Sequence, residues 1–401
     1  MKKLVSNQIS PNFTLADSLY AVGQIFIPNS QKAVEHYHGI FAKYLGTENF
    51  FLTNAVRTGL AEIIKTANPS KEKKVGIPAF ICAVVATPFL KANYQIEWLD
   101  TDKNGVIALE EFTKKADQLS VIVVPHIFGQ EAPLKEIYKI AREQNILVIE
   151  DNAHHFDLQD KSPLHCDVRI ISFGREKVFS CVSGGAIVWN KNSKFFTNKT
   201  FKLEKASKGW TIRHAIQPLI FAISIPWWHW GGKVIPYLAS RIGLLPKAVT
   251  NLEKKGQEDF PLYTLPVTQQ KILLHKFQKA DKIISHRKKI ADAWKKTLTK
   301  LFPEAEIIVP ENAFRVILKT KRKPVVDRAK QLGFNLHEWD GIPISPLGTD
   351  LAKFSYSSKQ CPEAERFAQN YVTFPTNIRT SLKDIEIFEK LWSKGTFFYK
   401  K

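Results

Sequence analysis

The stretch SFGREKVFSCVSGGA, Ser172 to Ala186, sets one lysine, Lys177, between an apolar strand and a Ser-Gly-Gly turn. A lysine is ordinarily a solvated surface charge, so its neighbours decide its meaning. Upstream, ILVIED (Ile146–Asp151) is an apolar run that ends in an acid. VRIISF (Val168–Phe173) brings Ser172 to the end of another such run, five residues before Lys177. VIVVP (Val121–Pro125) is a third. Short apolar runs without polar alternation read as strands buried on both faces. Between the first two in chain order lies PLKEIYKIAREQ, with Leu134, Ile137, Ile140 and Ala141 on one helical face. Strands alternating with helices require crossover connections and give a largely parallel sheet, so the expected fold class is α/β.

Working outward, VGIPAF and IEWLDTD bracket a helical stretch from Ile81 to Ala92. From about Lys191 the chain turns basic, and then strongly apolar through AIQPLIFAISIPWWHWGGKVIPYLASRIGLLPK. A long helical pattern follows from Leu265 to Phe302; beyond it AFRVILK reads as a strand and CPEAERFAQNY as a helix. This order predicts a large domain over residues 1–260, with 195–260 as an apolar and basic insertion, and a smaller α+β domain over 261–401.

The 401 residues are 44% hydrophobic, ample for a large core, which excludes the disordered class. The four cysteines, Cys82, Cys166, Cys181 and Cys361, form no CxxC pair, and no secretory pattern precedes them. Reduced thiols and a cytoplasmic location are therefore expected. The net charge of +20, from 58 basic and 38 acidic residues, favours anionic partners. It does not choose among nucleic acid, anionic membrane and phosphorylated substrates, and a lysine-rich solvated surface accounts for it equally well.

Sites on doubly wound sheets form outside the carboxyl ends of the strands. Three features fall there: Asp151, Ser172 with Lys177, and the helix start in TNAVRTGLAEIIK, whose free N–H groups would receive a phosphate. An acid, a lysine and a phosphate cradle are what pyridoxal phosphate needs. The lysine amine condenses with the aldehyde, and the acid keeps the ring nitrogen protonated so that the ring accepts negative charge. His154-His155 with Asp151, Asp157 and His165 fits no standard zinc spacing, so no metal is expected. Ser183-Gly184-Gly185 reads as a turn feeding the strand AIVW. Ile216–Trp230 falls short of the ~20 apolar residues of a membrane span and contains Pro218 and Pro226. Two readings of it stay open: a hydrophobic dimer or lid element, or an interfacial segment with Trp227, Trp228, Trp230 and Tyr237 at headgroup level.

In order and spacing these stretches resemble the DegT/DnrJ/EryC1/StrS family of sugar aminotransferases, fold-type I enzymes dependent on pyridoxal phosphate. VPHIFGQEAPLKEIYKIA, ILVIEDNAHHF, SFGREKVFSCVSGGAIV and CPEAERFAQNYVTFPT carry the likeness. IPAFICAVVATPFLKANYQIEWLDTD and FAKYLGTENFFLTNAVRTGLAEII add to it, so that it runs from about Ile25 to Phe388, apart from roughly 195–260. The resemblance implies that Lys177 bonds the cofactor, with Asp151 on the ring nitrogen and Ser172 on the phosphate. It places His154 near the ring and its phenolic oxygen, Arg57 and Thr58 at the phosphate-binding helix start, and Cys82, or else Phe80, where the family sets a stacking ring. His126 and Gly129 match the family too, in structural roles or, for His126, lining the substrate pocket.

The chain departs from the family at three places, one of them the stacking position, where Cys82 is small. The usual Ser-Gly-Thr at the helix start reads Ala55-Val56-Arg57, where Arg57 could replace a hydroxyl contact by a charge-assisted one. The stretch Tyr263-Thr264-Leu265-Pro266 lacks the Asn that the family sends to a neighbouring subunit's phosphate. The resemblance implies transfer of an amino group from glutamate to a nucleotide-linked keto-sugar in glycan biosynthesis, by a homodimer that binds no nucleic acid. Two alternatives remain: an inactive cofactor-binding scaffold or regulator, and a peripheral membrane protein that engages lipid-linked glycan through residues 216–245.

Overall fold

The computed structural model describes residues 5–6, 12–28, 31–69, 73–160, 162–336 and 341–394. Seven strands form the central sheet: β1 (Phe50–Thr53), β2 (Lys74–Pro78), β3 (Gln95–Leu99), β4 (Val121–Pro125), β5 (Leu147–Asp151), β6 (Val168–Ser172) and β7 (Gly185–Trp189). Their spatial order is β1-β7-β6-β5-β4-β2-β3. The run from β3 to β6 is parallel throughout, and β7 turns back antiparallel to both β6 and β1. The three apolar runs thus lie side by side in the middle, with their carboxyl ends at one edge of the sheet.

Residue alternation explains why these strands carry no polar face. Val121, Val123, Leu147 and Ile149 enter the core on one side of the sheet. Ile122, Val124 and Val148 enter the core on the other side, together with Leu99, Phe112 and Ile137. Both faces are covered, so period-2 alternation selects a core and not exposure.

Nine helices matter for the site: α1 (Leu15–Gly23), α2 (Val56–Ala67), α3 (Ala83–Lys91), α4 (Leu134–Glu143), α5 (Lys208–Ser224), α6 (Val234–Arg241), α7 (Val267–Phe277), α8 (Ala280–Leu301) and α9 (Leu382–Ser393). A second, antiparallel sheet orders β8 (Glu306–Ile308), β9 (Arg315–Lys319) and β10 (Tyr371–Pro375). Its core is built from Trp294 and Leu298 of α8, Val316, Leu318, Val372 and Phe374 of the strands, and Phe388 of α9. On β9 the alternate residues face the other way: Ile317 joins the first core, and Arg315 lines a cavity between the two cores.

The first core extends past residue 261, since Leu273 and Phe277 of α7 belong to it. The single helical pattern expected over Leu265–Phe302 is two helices, broken at Gln278-Lys279, where Lys279 leaves helical geometry at φ −105°, ψ 14°. Across the break Lys276 and Lys279 both meet the carboxylate of Asp17 on α1, at 2.6 and 2.8 Å. Burial works against the Asp17 charge, but Lys276 and Lys279 hold its carboxyl well below the usual range. That long-range pairing has no trace in helical periodicity. The helical stretch expected from Ile81 begins instead as two extended residues, Ile81-Cys82, paired with Ile344-Ser345. Among the described residues no helix is long and apolar enough to cross a membrane.

Gly185 opens β7 where the chain has no room to spare. A Cβ there would lie 2.9 Å from Thr53 Oγ1 and 3.0 Å from the backbone of Ala55 and Val56. Gly185→Ala should therefore push β1 and the start of α2 away, lowering unfolding stability by about 1–3 kcal/mol. Gly209→Ala, in open space on α5, should leave stability unchanged or higher; chemical denaturation of both variants checks the contrast.

Candidate active site

Between the two cores lies a cavity of about 600 Å³ at the carboxyl ends of β4, β5 and β6. Asp151 closes β5, Ser172 closes β6, and His126 follows β4, so the parallel sheet itself delivers three polar side chains to one place. Lys177 reaches the same cavity from the turn after β6. A larger cleft of about 890 Å³ opens at the other ends of these strands. Its charges are answered within the chain: Arg169 meets Glu150 and Asp160, and Asp167 accepts from Val148 N–H and Ser193.

The lysine turn is strapped in place by Asn12. Its side-chain amide donates to the Lys177 and Val178 carbonyls at 3.1 and 3.2 Å, and its backbone N–H donates to the Arg175 carbonyl at 2.9 Å. Lys276 in turn donates to the Asn12 carbonyl at 3.1 Å. The Lys177 amine lies 5.7 Å from the centroid of the Phe314 ring. Desolvation by the surrounding protein is the main influence on it, only partly offset by Glu176 and Asp151, and brings its pKa from 10.5 to about 8. That shift gives the amine a far larger neutral fraction near neutral pH than a surface lysine has, which a nucleophilic or proton-moving amine requires.

Asp151 is buried, with one carboxylate oxygen accepting from Ala153 N–H at 3.0 Å. Burial raises its pKa, while that hydrogen bond and the charge of Lys177 pull it back. His154 lies nearly parallel to Phe314, with ring centres 4.6 Å apart, and accepts from Phe128 N–H through Nδ1 at 3.1 Å. Burial, then Lys177 and Arg315, push its pKa well below the usual value. The ring is thus neutral, with its proton on Nε2. His126 accepts from Ala132 N–H through Nδ1 at 3.0 Å and donates from Nε2 to Glu150 at 3.2 Å. Burial would raise the Glu150 carboxyl, but His126 and Arg169 bring it down to about 2.

The start of α2 faces the cavity with Ala55, Val56 and Arg57, and no side chain caps its first N–H groups. Those unspent donors, with the Ser172 hydroxyl, suit an anionic oxygen group. Thr58 stands at this helix start too, but its hydroxyl donates to Asn54 at 2.7 Å and does not line the cavity. Arg57 does line it, yet its guanidinium pairs with Glu253, which is fully buried, and lies 4.4 Å from the Phe260 ring centre. Cys82 lines the cavity at the entry to α3, whereas Phe80 is fully buried against Phe128, Phe367 and Tyr371. The sequence motifs and the cavity therefore share Lys177, Asp151, His154, Ser172, Arg57 and Cys82. His155 turns away from His154, to the Gly129 carbonyl at 3.0 Å.

Sequence reasoning did not single out Arg315, Glu176, Arg175, Gln217 or Glu253. Arg315 is buried and donates to Glu176 at 2.8 Å. Arg175 lines the cavity, and its guanidinium makes no hydrogen bond or ion pair among the described residues. Gln217 of α5 also lines it, buried, with its Nε2 lacking a partner among the described residues. These residues come from the insertion, the second core and the lysine turn, and no short motif joins them.

The amine, the buried carboxylate, the uncapped helix start, the serine hydroxyl and the orphaned amide donor form a donor set that fits pyridoxal phosphate. The DegT/DnrJ/EryC1/StrS aminotransferase family matches residues 23–208. A UDP-4-amino-4,6-dideoxy-N-acetyl-beta-L-altrosamine transaminase of Campylobacter jejuni is 26% identical over 166 residues, 40% of this chain and 44% of that protein. The cysteine desulfurase IscS of Rickettsia prowazekii is 27% identical over 177 residues, 41% of this chain and 43% of its own. These matches thus span less than half the length of those relatives. A Streptococcus pneumoniae protein assigned as a sugar aminotransferase, solved in its PLP form, superposes with a TM-score of 0.68 at 14% identity, covering 96% of this chain and 98% of its own. That likeness carries the fold.

The Glu150 carboxyl gives a pH test of the network beneath the site. Its folded pKa, about 2, lies below the ordinary 4.5. Its contribution to stability is therefore complete above pH 4.5 and is lost as pH falls through 2. Glu150→Gln should flatten the decline of unfolding stability across that window; denaturant titrations with the same slope in both proteins would contradict the assignment.

Proposed function

We infer that this chain is a member of the DegT/DnrJ/EryC1/StrS aminotransferase family, whose match spans residues 23–208. Its reaction is transfer of an amino group to a keto-sugar, with pyridoxal phosphate as cofactor. The observation that carries this reading is the Lys177 amine, desolvated to a pKa of about 8 and sharing one cavity with Asp151, Ser172 and the uncapped start of α2.

Pyridoxal phosphate, when bound, supplies an electron-withdrawing ring that stabilises negative charge on the carbon bearing the amine. Lys177 would bond it, Asp151 would hold its ring nitrogen protonated, and the N–H groups of α2 with Ser172 would take its phosphate. His154, neutral and carrying its proton on Nε2, would donate to a ring oxygen. The Lys177 amine would also be the group placed to take up and return a proton at the reacting carbon. Arg315, Ser345 and Pro346, from the C-terminal third of the chain, also line the cavity.

The substrate side of the proposal is a nucleotide-linked sugar, with glutamate as amino donor. The names of the Campylobacter relative and of a Shigella dysenteriae dTDP-4-amino-4,6-dideoxy-D-glucose transaminase, 37% identical over 76 residues, support that class. Arg175, Arg315, Lys247 and Lys254 around the cavity supply positive charge for carboxylate and diphosphate. The resemblance also supports a homodimer, which light scattering should report as twice the chain mass.

Visible absorption of the cofactor-loaded protein tests the chemistry. Wild type should show an absorption band that shifts when glutamate is added, and Lys177→Ala should lack it. A band that Lys177→Ala retains, or one indifferent to every amino donor, contradicts the reading.

A further inference from the structure

Between Glu204 and Glu253 the chain carries no acidic residue, while Lys205, Lys208, Arg213, Lys233, Arg241 and Lys247 all fall there. The structure folds this stretch into α5, a 3-10 turn over Ile225–Trp230, and α6. Gly231 and Gly232 reverse the chain after the tryptophans. Gly231 takes a left-handed φ of +98°, and a Cβ on Gly232 would lie 2.3 Å from the Ser224 carbonyl oxygen.

The outer side of this unit is strongly apolar. Trp227 is 54% exposed, Trp230 74%, Tyr237 56% and Ile242 73%, with Ile223, Val234 and Leu238 also exposed. Helix α1 and the turn after it pack along α5 and add Leu15, Leu19 and Phe26, the last 79% exposed. Single exposed apolar residues are ordinary, but such a concentration on one packed unit marks an interaction surface. The cations Lys208, Arg213, Lys233, Arg241 and Lys247 are exposed on the same unit.

We propose that this face binds the anionic headgroup surface of a lipid bilayer. Tryptophan and tyrosine rings mixed with Lys and Arg are the composition that lies in a membrane interface. No described helix is both long and apolar enough to cross one, so the unit lies on the bilayer and not through it. A second copy of the chain is the poorer occupant. A two-fold contact would bring this acid-free basic stretch against itself, in a protein already at +20. Helix α5 turns His214 and Gln217 into the cavity while its other side carries the exposed Ile212 and Ile223, so the membrane contact adjoins a wall of the site. The inference does not rest on the proposed reaction, and its test reads binding alone.

The test is co-sedimentation of the full chain with phosphatidylglycerol-containing vesicles and with phosphatidylcholine vesicles, at low and high salt. Wild type should partition at least about tenfold more strongly to the anionic vesicles, and salt should weaken that preference. The variant W227A/W230A/I242S and the variant K233E/R241E should each lose about tenfold of it, with circular dichroism and melting temperature unchanged. Wild type that stays in the supernatant with anionic vesicles at low salt overturns the proposal. Binding that the apolar variant retains in full overturns it as well. So does light scattering in which the apolar variant falls to a smaller assembly while wild type ignores vesicles, because the occupant is then a second copy.

Discussion

An ammonium group loses most of its hydration when protein closes around it, and that cost governs the architecture of this site. Lys177 lies in a cavity that neither core could form alone. The sheet contributes Asp151, Ser172 and His126 at its carboxyl edge, and β9 contributes Arg315 from the other side. Desolvation outweighs the favourable charges of Glu176 and Asp151, so the amine is deprotonated more easily than a surface lysine. The strap from Asn12 to the lysine turn, anchored through Lys276 and Asp17, keeps the amine in that environment.

Much of this was legible before any coordinates. Asp151, Ser172 and Lys177 could be placed because a parallel sheet delivers the ends of its strands to one edge, and apolar runs reveal those ends. The Gly184-Gly185 turn feeding a strand was legible for a related reason: the backbone there passes too close to Thr53 for any side chain. What escaped the sequence depends on contacts between distant segments. Arg57 read as a charge for phosphate, but Glu253, far along the chain, answers it. Thr58 read as part of the phosphate cradle, but Asn54 takes its hydroxyl. The parallel contact of His154 with Phe314 joins segments far apart in the chain, and the break between α7 and α8 follows a pairing with Asp17 on α1. Periodicity carries no record of such partners.

The insertion between β7 and α7 serves both sides of the molecule. Inward it supplies Gln217, His214 and the Glu253 that neutralises Arg57, so the cavity is walled by chain that family motifs do not describe. Outward, between Glu204 and Glu253, it shows tryptophans, lysines and arginines without a single acid. The same segment thus walls the cavity on one side and carries the proposed lipid-facing surface on the other.

The central claim is that Lys177, among 58 lysines and arginines, is the residue that bonds the cofactor. Borohydride reduction of the pyridoxal-phosphate-loaded protein, followed by proteolysis and mass spectrometry, tests it most directly. The account predicts one phosphopyridoxyl adduct, on the peptide carrying Lys177. An adduct on another lysine, or none at full cofactor loading, would contradict it.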